Sequence, residues 1–90
     1  MTFSEALIHL KTGHRLARKG WNGRGMFIIL VHGTPSAALK PGTPYDKAMR
    51  GNRASVDIEP HIDMFTARGT FQPGWLASQT DLLATDWGIV

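Results

Sequence analysis

The chain has 90 residues and no cysteine, with 42% hydrophobic and 19% charged residues and a net charge of +3. A composition this apolar belongs to one folded domain spanning residues 1–90, and it excludes disulfides, thiolate zinc sites and cysteine nucleophiles. The charge is unevenly placed: nine Lys/Arg face two acids in residues 1–53, and one Arg faces five acids in residues 54–90. This leaves two explanations open, an anionic partner for the basic half or complementary surfaces that meet within the fold or between subunits.

In chain order, Thr2-Phe3-Ser4-Glu5 has the form of a capping box, and Phe3, Ala6, Leu7 and Leu10 follow at helical spacing. A helix is therefore expected over Phe3 to Thr12, stopped by Gly13. His14 to Lys19 reads as a short strand, and Asn22-Gly23 as the turn of a hairpin whose second strand runs from Met26 to Val31. That second strand is apolar on successive residues, so both of its faces need cover, one from the core and the other from a helix or a second subunit. It is also the longest apolar run, far below the roughly 18 to 20 residues that span a bilayer. The N-terminus has no secretory pattern, so a cytoplasmic protein without a membrane partner is expected.

Residues 33–54 form a long excursion punctuated by Gly33, Pro35, Pro41, Gly42, Pro44 and Gly51. One short helix fits inside it, capped by Thr43, begun at Pro44 and stopped by Gly51. Extended chain is expected from Ser55 to Glu59 and, after Pro60, from His61 to Thr66. A turn at Ala67-Arg68-Gly69 then returns Thr70 to Gln72 as a partner strand. Ser78 caps a short helix reaching Leu83 or Ala84, and Asp86 to Val90 runs back as a last strand. The class is α+β, a small antiparallel sheet with an N-terminal helix and a short C-terminal helix.

Catalytic motifs are sparse. Gly20, Gly23 and Gly25 make neither a dinucleotide fingerprint nor a phosphate loop, because a strand follows them. His61 and Asp63 share a strand face without a third ligand, so no metal is expected. Ser78 and Asp81 have the spacing of a helix cap rather than of an activated nucleophile. No reading helix is present, so neither DNA nor RNA is an expected partner. More suggestive is Trp21, which lies among Arg18, Lys19 and Arg24, a ring with cations of the kind that holds a nucleobase and its phosphates. Its alternative is to pack beneath the hairpin with the cations solvated. The start Ser78-Gln79-Thr80-Asp81 offers N–H groups and hydroxyls to an anion, or else caps itself.

Four blocks carry a resemblance: Phe3-Ser4-Glu5-Ala6-Leu7, Ala17-Arg18-Lys19-Gly20-Trp21-Asn22-Gly23-Arg24-Gly25-Met26-Phe27, Pro60-His61-Ile62-Asp63-Met64, and Trp75-Leu76-Ala77-Ser78-Gln79-Thr80-Asp81-Leu82-Leu83-Ala84-Thr85-Asp86-Trp87. Together they resemble the second type of Thoeris anti-defence protein, a family of small phage and prophage proteins. The resemblance implies a non-catalytic sponge that sequesters cyclic ADP-ribose isomers made as immune signals, with cyclic oligonucleotides held at a separate site in some relatives. It also implies a homotetramer with ligand pockets where subunits meet, and no cofactor. By the same resemblance Trp21 stacks on the adenine, and Arg18 and Asn22 contact phosphate or ribose. Ser78, Gln79 and Thr80 supply hydrogen bonds from the helix start, and Phe3 walls the pocket. The sequence departs from relatives at Pro73-Gly74-Trp75, and residues 33–54 are a variable region outside the match. Two other classes compete: an enzyme that degrades the same signal, and a protein-binding module that uses the basic loop.

Overall fold

The computed structural model describes residues 1–90 as three helices and seven short strands, the strands forming two antiparallel sheets. Helix α1 (Phe3–Lys11) starts where expected: the Thr2 hydroxyl accepts from the Glu5 N–H, and the Glu5 carboxylate accepts from the Thr2 N–H at 3.0 Å. Gly13, at φ +94°, turns the chain out of the helix into β1 (Leu16–Arg18) and then β2 (Phe27–Val31). The excursion contributes β3 (Thr34–Ala38) and α2 (Pro44–Met49). Beyond it come β4 (Ser55–Ile58), β5 (His61–Phe65), β6 (Phe71–Gln72), α3 (Gln79–Leu83) and β7 (Trp87–Ile89). The main sheet has the order β6-β5-β2-β1-β7, and β3 and β4 form a separate two-stranded sheet.

Alternation divides the main sheet into two faces. Leu16, Ile28 and Trp87 point inward with Ala6 and Leu10 of α1, and these five make up the fully packed core. Leu30, Ile62 and Met64 extend that layer. The opposite face carries Phe27, Phe65 and Phe71, aligned by the pairs Phe27↔Phe65 and Phe65↔Phe71. Phe27 and Phe65 stack with centroids 4.9 Å apart, and Phe71 stands edge-on at 5.1 Å from Phe65. Ile29 and Val31 share this face by alternation, and no helix lies over it. The expectation that both faces of β2 are covered is met on one side, closed by α1, while the other side is left partly exposed.

Two expectations need correction. Asn22-Gly23 is not the tip of a two-residue hairpin, since β1 meets β2 only at Leu16↔Ile28 and a wide loop joins them. The positive φ of that loop is at Gly25, at +72°. Gly23 serves a different need: a Cβ there would run into the Met26 sulfur and lie 2.9 Å from the Ala67 Cβ. The second correction is β3, read as broken chain because of Gly33 and Pro35. A bulge between Thr34 and Ala37 takes up Pro35 and Ser36, and the Asp57 carboxylate accepts from the Ser36 N–H at 2.8 Å. Pro35 is tolerated there because a bulged strand in a two-stranded sheet does not require every N–H to pair.

The β3–β4 sheet and α2 project from the body as an arm. The radius of gyration is 15.9 Å, against about 12 Å for a compact chain of this length, and the longest dimension is 46 Å. Gly33 makes the bend at its base, with φ +84° and the backbone of Glu59 and Pro60 so close that a Cβ would lie 3.0 Å from the Pro60 nitrogen. With so few residues fully buried, stability is concentrated in them. Leu16→Ala is expected to cost about 2–5 kcal/mol in urea denaturation, whereas Leu83→Ala, at 78% exposure, should stay within about 0.5 kcal/mol.

Candidate functional site

Arg18 ends β1 on the inner face, directly across from Trp87 in the β1–β7 register. Its guanidinium reaches two carboxylates of the C-terminal segment, with Nε donating to Asp86 Oδ1 at 2.8 Å and Nη1 to Asp81 Oδ1 at 2.9 Å. Asp81 Oδ1 also accepts from the Trp21 indole N–H at 3.1 Å. The backbone carbonyl of the same residue accepts from the Trp87 indole at 2.9 Å. Asp81 in addition completes the capping box of α3, where its N–H donates to Ser78 Oγ at 3.0 Å. Asp86 Oδ2 takes the Gly20 N–H at 2.8 Å, which anchors the start of the loop that carries Trp21.

Around these bonds four rings pack edge to face. Trp21 lies 5.2 Å from Trp87 and 6.4 Å from Trp75, and Phe3 lies 5.3 Å from Trp87 and 6.3 Å from Trp75. The structure thus brings together Phe3, Arg18, Trp21 and Ser78, the last through its capping partner. Gln79 and Thr80 are exposed on the first turn of α3, and Asn22 is exposed in the loop beside Trp21. Both readings of Trp21 have a physical basis here: one edge of the indole is packed and hydrogen-bonded, and the ring lines an open cleft of about 390 Å³ together with Arg15, Lys19, Met26 and Phe27.

The charges explain part of the uneven sequence distribution. Burial pushes the Asp81 carboxyl up, but hydrogen bonds from Arg18, Trp21 and Ser78 outweigh it and hold it below its ordinary 3.8. Asp86 is held below the same value chiefly by Arg18, and Arg18 is raised in turn by Asp86 and then Asp81. Glu5, Asp46, Asp57 and Asp63 also accept internal hydrogen bonds, from Thr2, Gly42, Ser36 and Gly74. Acids of the C-terminal half therefore meet one cation of the basic half within the fold. Arg18 is the one Lys/Arg paired with an Asp or Glu, and Arg15 Nε donates to the Val90 oxygen at 3.2 Å. His61 Nε2 lies 3.5 Å from Asp63 Oδ1, and no group of three His, Asp or Glu side chains comes together for a metal ion. No helix is long and apolar enough to cross a membrane.

Sequence reasoning missed Asp81 and Asp86 as organising groups. The S-x-x-D spacing gave away Asp81's capping role, but its other partners, Arg18 and Trp21, lie 63 and 60 positions away in the chain. Trp87 is in the core, at 3% exposure, and Trp75 is half-buried beside it.

The fold is that of a small α+β domain with the aromatic and carboxylate cluster at one end of its main sheet. Residues 1–90 match the profile of the Thoeris anti-defense 2-like domain. The chain is 36% identical to Thoeris anti-defense 2 of Bacillus phage SP01 over 90 residues, which is all of this chain and 94% of that protein. The chain belongs to the Thoeris anti-defense 2 family, and this membership gives it a part in countering Thoeris defence.

Because both aspartates have lowered folded-state values, their stabilisation is present above 3.8 and is lost as pH falls through the lower folded values. Thermal stability is expected to be flat near neutrality and to fall below about pH 4. In Asp81→Asn that acid-side decline should be shallower, as read from melting temperatures across a pH series.

Proposed function

We propose that the protein is a non-catalytic sponge that sequesters cyclic ADP-ribose-type signalling nucleotides, and so blocks Thoeris defence from within the bacterial host cytoplasm. Trp21 stacks on the adenine. Phe3, Asn22, Ser78, Gln79 and Thr80 complete the surroundings, and cyclic oligonucleotides are a second ligand class. The single observation that carries the reading is the Trp21 indole, fixed by Asp81 at 3.1 Å and lining a cleft with unneutralised cations. Fixing the ring before the ligand arrives removes part of the ordering cost of binding.

Holding rather than cleaving is favoured by how the polar groups are used. Asp81 and Asp86 are locked as ionised partners of Arg18, which makes them poor proton carriers near neutral pH. Ser78 Oγ is already engaged in the helix cap. A homotetramer is proposed on the exposed outer sheet face, where Phe71 is 53% accessible and a partner would complete the burial that β2 lacks. Nanomolar retention corresponds to about −12 kcal/mol. Stacking at about 1–3 kcal/mol and charge-assisted bonds at about 1.5–3 each reach that value only in a pocket closed against water, as a subunit interface would be.

The test is incubation with cyclic ADP-ribose isomers and cyclic dinucleotides, filtration, and chromatography of the small molecules before and after heating the protein. Retention of a cyclic ADP-ribose isomer, and its unaltered return on heating, is expected. Recovery of a converted product would replace the sponge with an enzyme, and a filtrate that keeps every compound would end the nucleotide reading. Trp21→Ala is expected to abolish retention. Trp21→Phe, which keeps the ring but not the bond to Asp81, should retain ligand with about tenfold weaker affinity, the equivalent of one hydrogen bond to a charged group.

A further inference from the structure

Asn22-Gly23 is a chemically labile dipeptide, and the fold leaves it in the open. Asparagine is thermolabile because the backbone nitrogen of the next residue can attack its side-chain carbonyl, and a glycine in that next position obstructs the approach least. The loop between β1 and β2 is anchored on either side of the pair. Before it, the Gly20 N–H donates to Asp86 at 2.8 Å, the Trp21 indole to Asp81 at 3.1 Å and the Trp21 N–H to the Arg18 carbonyl at 3.3 Å. After it, Gly23 packs so closely on the Met26 sulfur and the Ala67 Cβ that any side chain at this position would collide. The glycine is therefore fixed by packing. Between the anchors Asn22 is exposed, and neither its side-chain amide nor the Gly23 N–H makes a hydrogen bond within the protein.

The charges around the pair favour reaction. Attack requires the Gly23 nitrogen to lose its proton and places negative charge on the Asn22 side-chain oxygen, and neighbouring cations stabilise both. Lys19 lines the same cleft as Gly23, Arg24 follows Gly23 directly, and neither pairs with an Asp or Glu. The other asparagine, Asn52, is an internal contrast, since Arg53 follows it and its own N–H donates to the Met49 carbonyl at 2.9 Å.

We propose that Asn22 is a site of spontaneous covalent modification in the folded protein, and that its conversion to a carboxylate weakens the hold of the Trp21 cleft on anionic ligands. The Gly23 nitrogen bonds to the Asn22 Cγ and closes a cyclic imide, and the side-chain nitrogen leaves as ammonia with the proton that Gly23 gave up. Water then opens the ring at one of its two carbonyls, giving aspartate or isoaspartate. The sum is amide and water to carboxylic acid and ammonia, with no oxidant or cofactor. Aspartate keeps the backbone and sets a negative charge beside Trp21. Isoaspartate also lengthens the backbone by one carbon between two anchored points, which displaces either Trp21 or Gly23. The modification stands on the loop geometry alone, whereas its effect on ligand rests on the sequestration reading above.

The test is prolonged incubation of the folded full chain at neutral and mildly alkaline pH, with ion-exchange chromatography, ammonia release and peptide mapping as readouts. An acidic form is expected, lower by one unit of charge, accumulating faster at the higher pH, with aspartate and isoaspartate at position 22 and Asn52 intact. Asn22→Gln, which would have to close a larger ring, should not accumulate it. The proposal is overturned if Asn22 survives in the folded chain while it converts in the urea-unfolded one, if Asn52 converts as fast, or if Asn22→Gln turns acidic at the wild-type rate. With a cyclic ADP-ribose isomer as probe, the acidic fraction and Asn22→Asp should each bind about tenfold more weakly than fresh protein, or worse. Equal affinity in all three removes the effect on ligand. Fresh protein that retains no nucleotide removes the sequestration reading and that effect together, while the mapped modification still stands.

Discussion

The Arg18 guanidinium, gripped by Asp81 at 2.9 Å and Asp86 at 2.8 Å, is the contact on which the remaining architecture depends. It ties the end of β1 to both ends of the segment running from α3 to β7. A charge group this enclosed is stable only when its partners are present, and removal of one leaves the others desolvated and unmatched. Asp81 extends the connection to Trp21 and Trp87, and Asp86 extends it to the Gly20 N–H. The loop between β1 and β2, which opens with a turn closed by the Trp21 N–H on the Arg18 carbonyl at 3.3 Å, is further held in place by those bonds.

That contact also sets the electrostatics of the surface. Most carboxylates are consumed by hydrogen bonds inside the fold, while the cations other than Arg18 stay unmatched. A chain of modest net charge thereby shows solvent a markedly more basic surface than its composition suggests. Anions are drawn to such a surface over roughly a Debye length, about 8 Å at physiological salt. The aromatic rings concentrate the effect near Trp21 and Phe27, where planar groups and cations lie side by side.

The body and the arm differ in how they are stabilised. The body closes one sheet face with α1 and five core residues. The arm has no fully buried residue in β3, α2 or β4, and a two-stranded unit of this kind is marginal alone in water. The outer sheet face has a similar deficit, with three phenylalanines packed against one another and beside Arg15 and none of them fully buried. These exposed surfaces are the ones that the proposed homotetramer would cover.

By itself the amino-acid sequence determined the elements whose signals are local. The capping boxes at Thr2 and Ser78, the start of α2 at Thr43-Pro44 and the turn at Gly69 all sit where spacing and backbone preference put them, because each depends on partners within a few residues. The blocks around Trp21 and Ser78 were legible as a resemblance because each is contiguous in the sequence. Only the tertiary structure decided that Arg18 pairs with Asp81 and Asp86, that Asp81 orients Trp21, and that β3 pairs with β4 through a bulge. In each case the deciding partner is remote in the chain, as with Arg18 and Asp86, 68 positions apart, and no local periodicity encodes which charge a distant segment will bring.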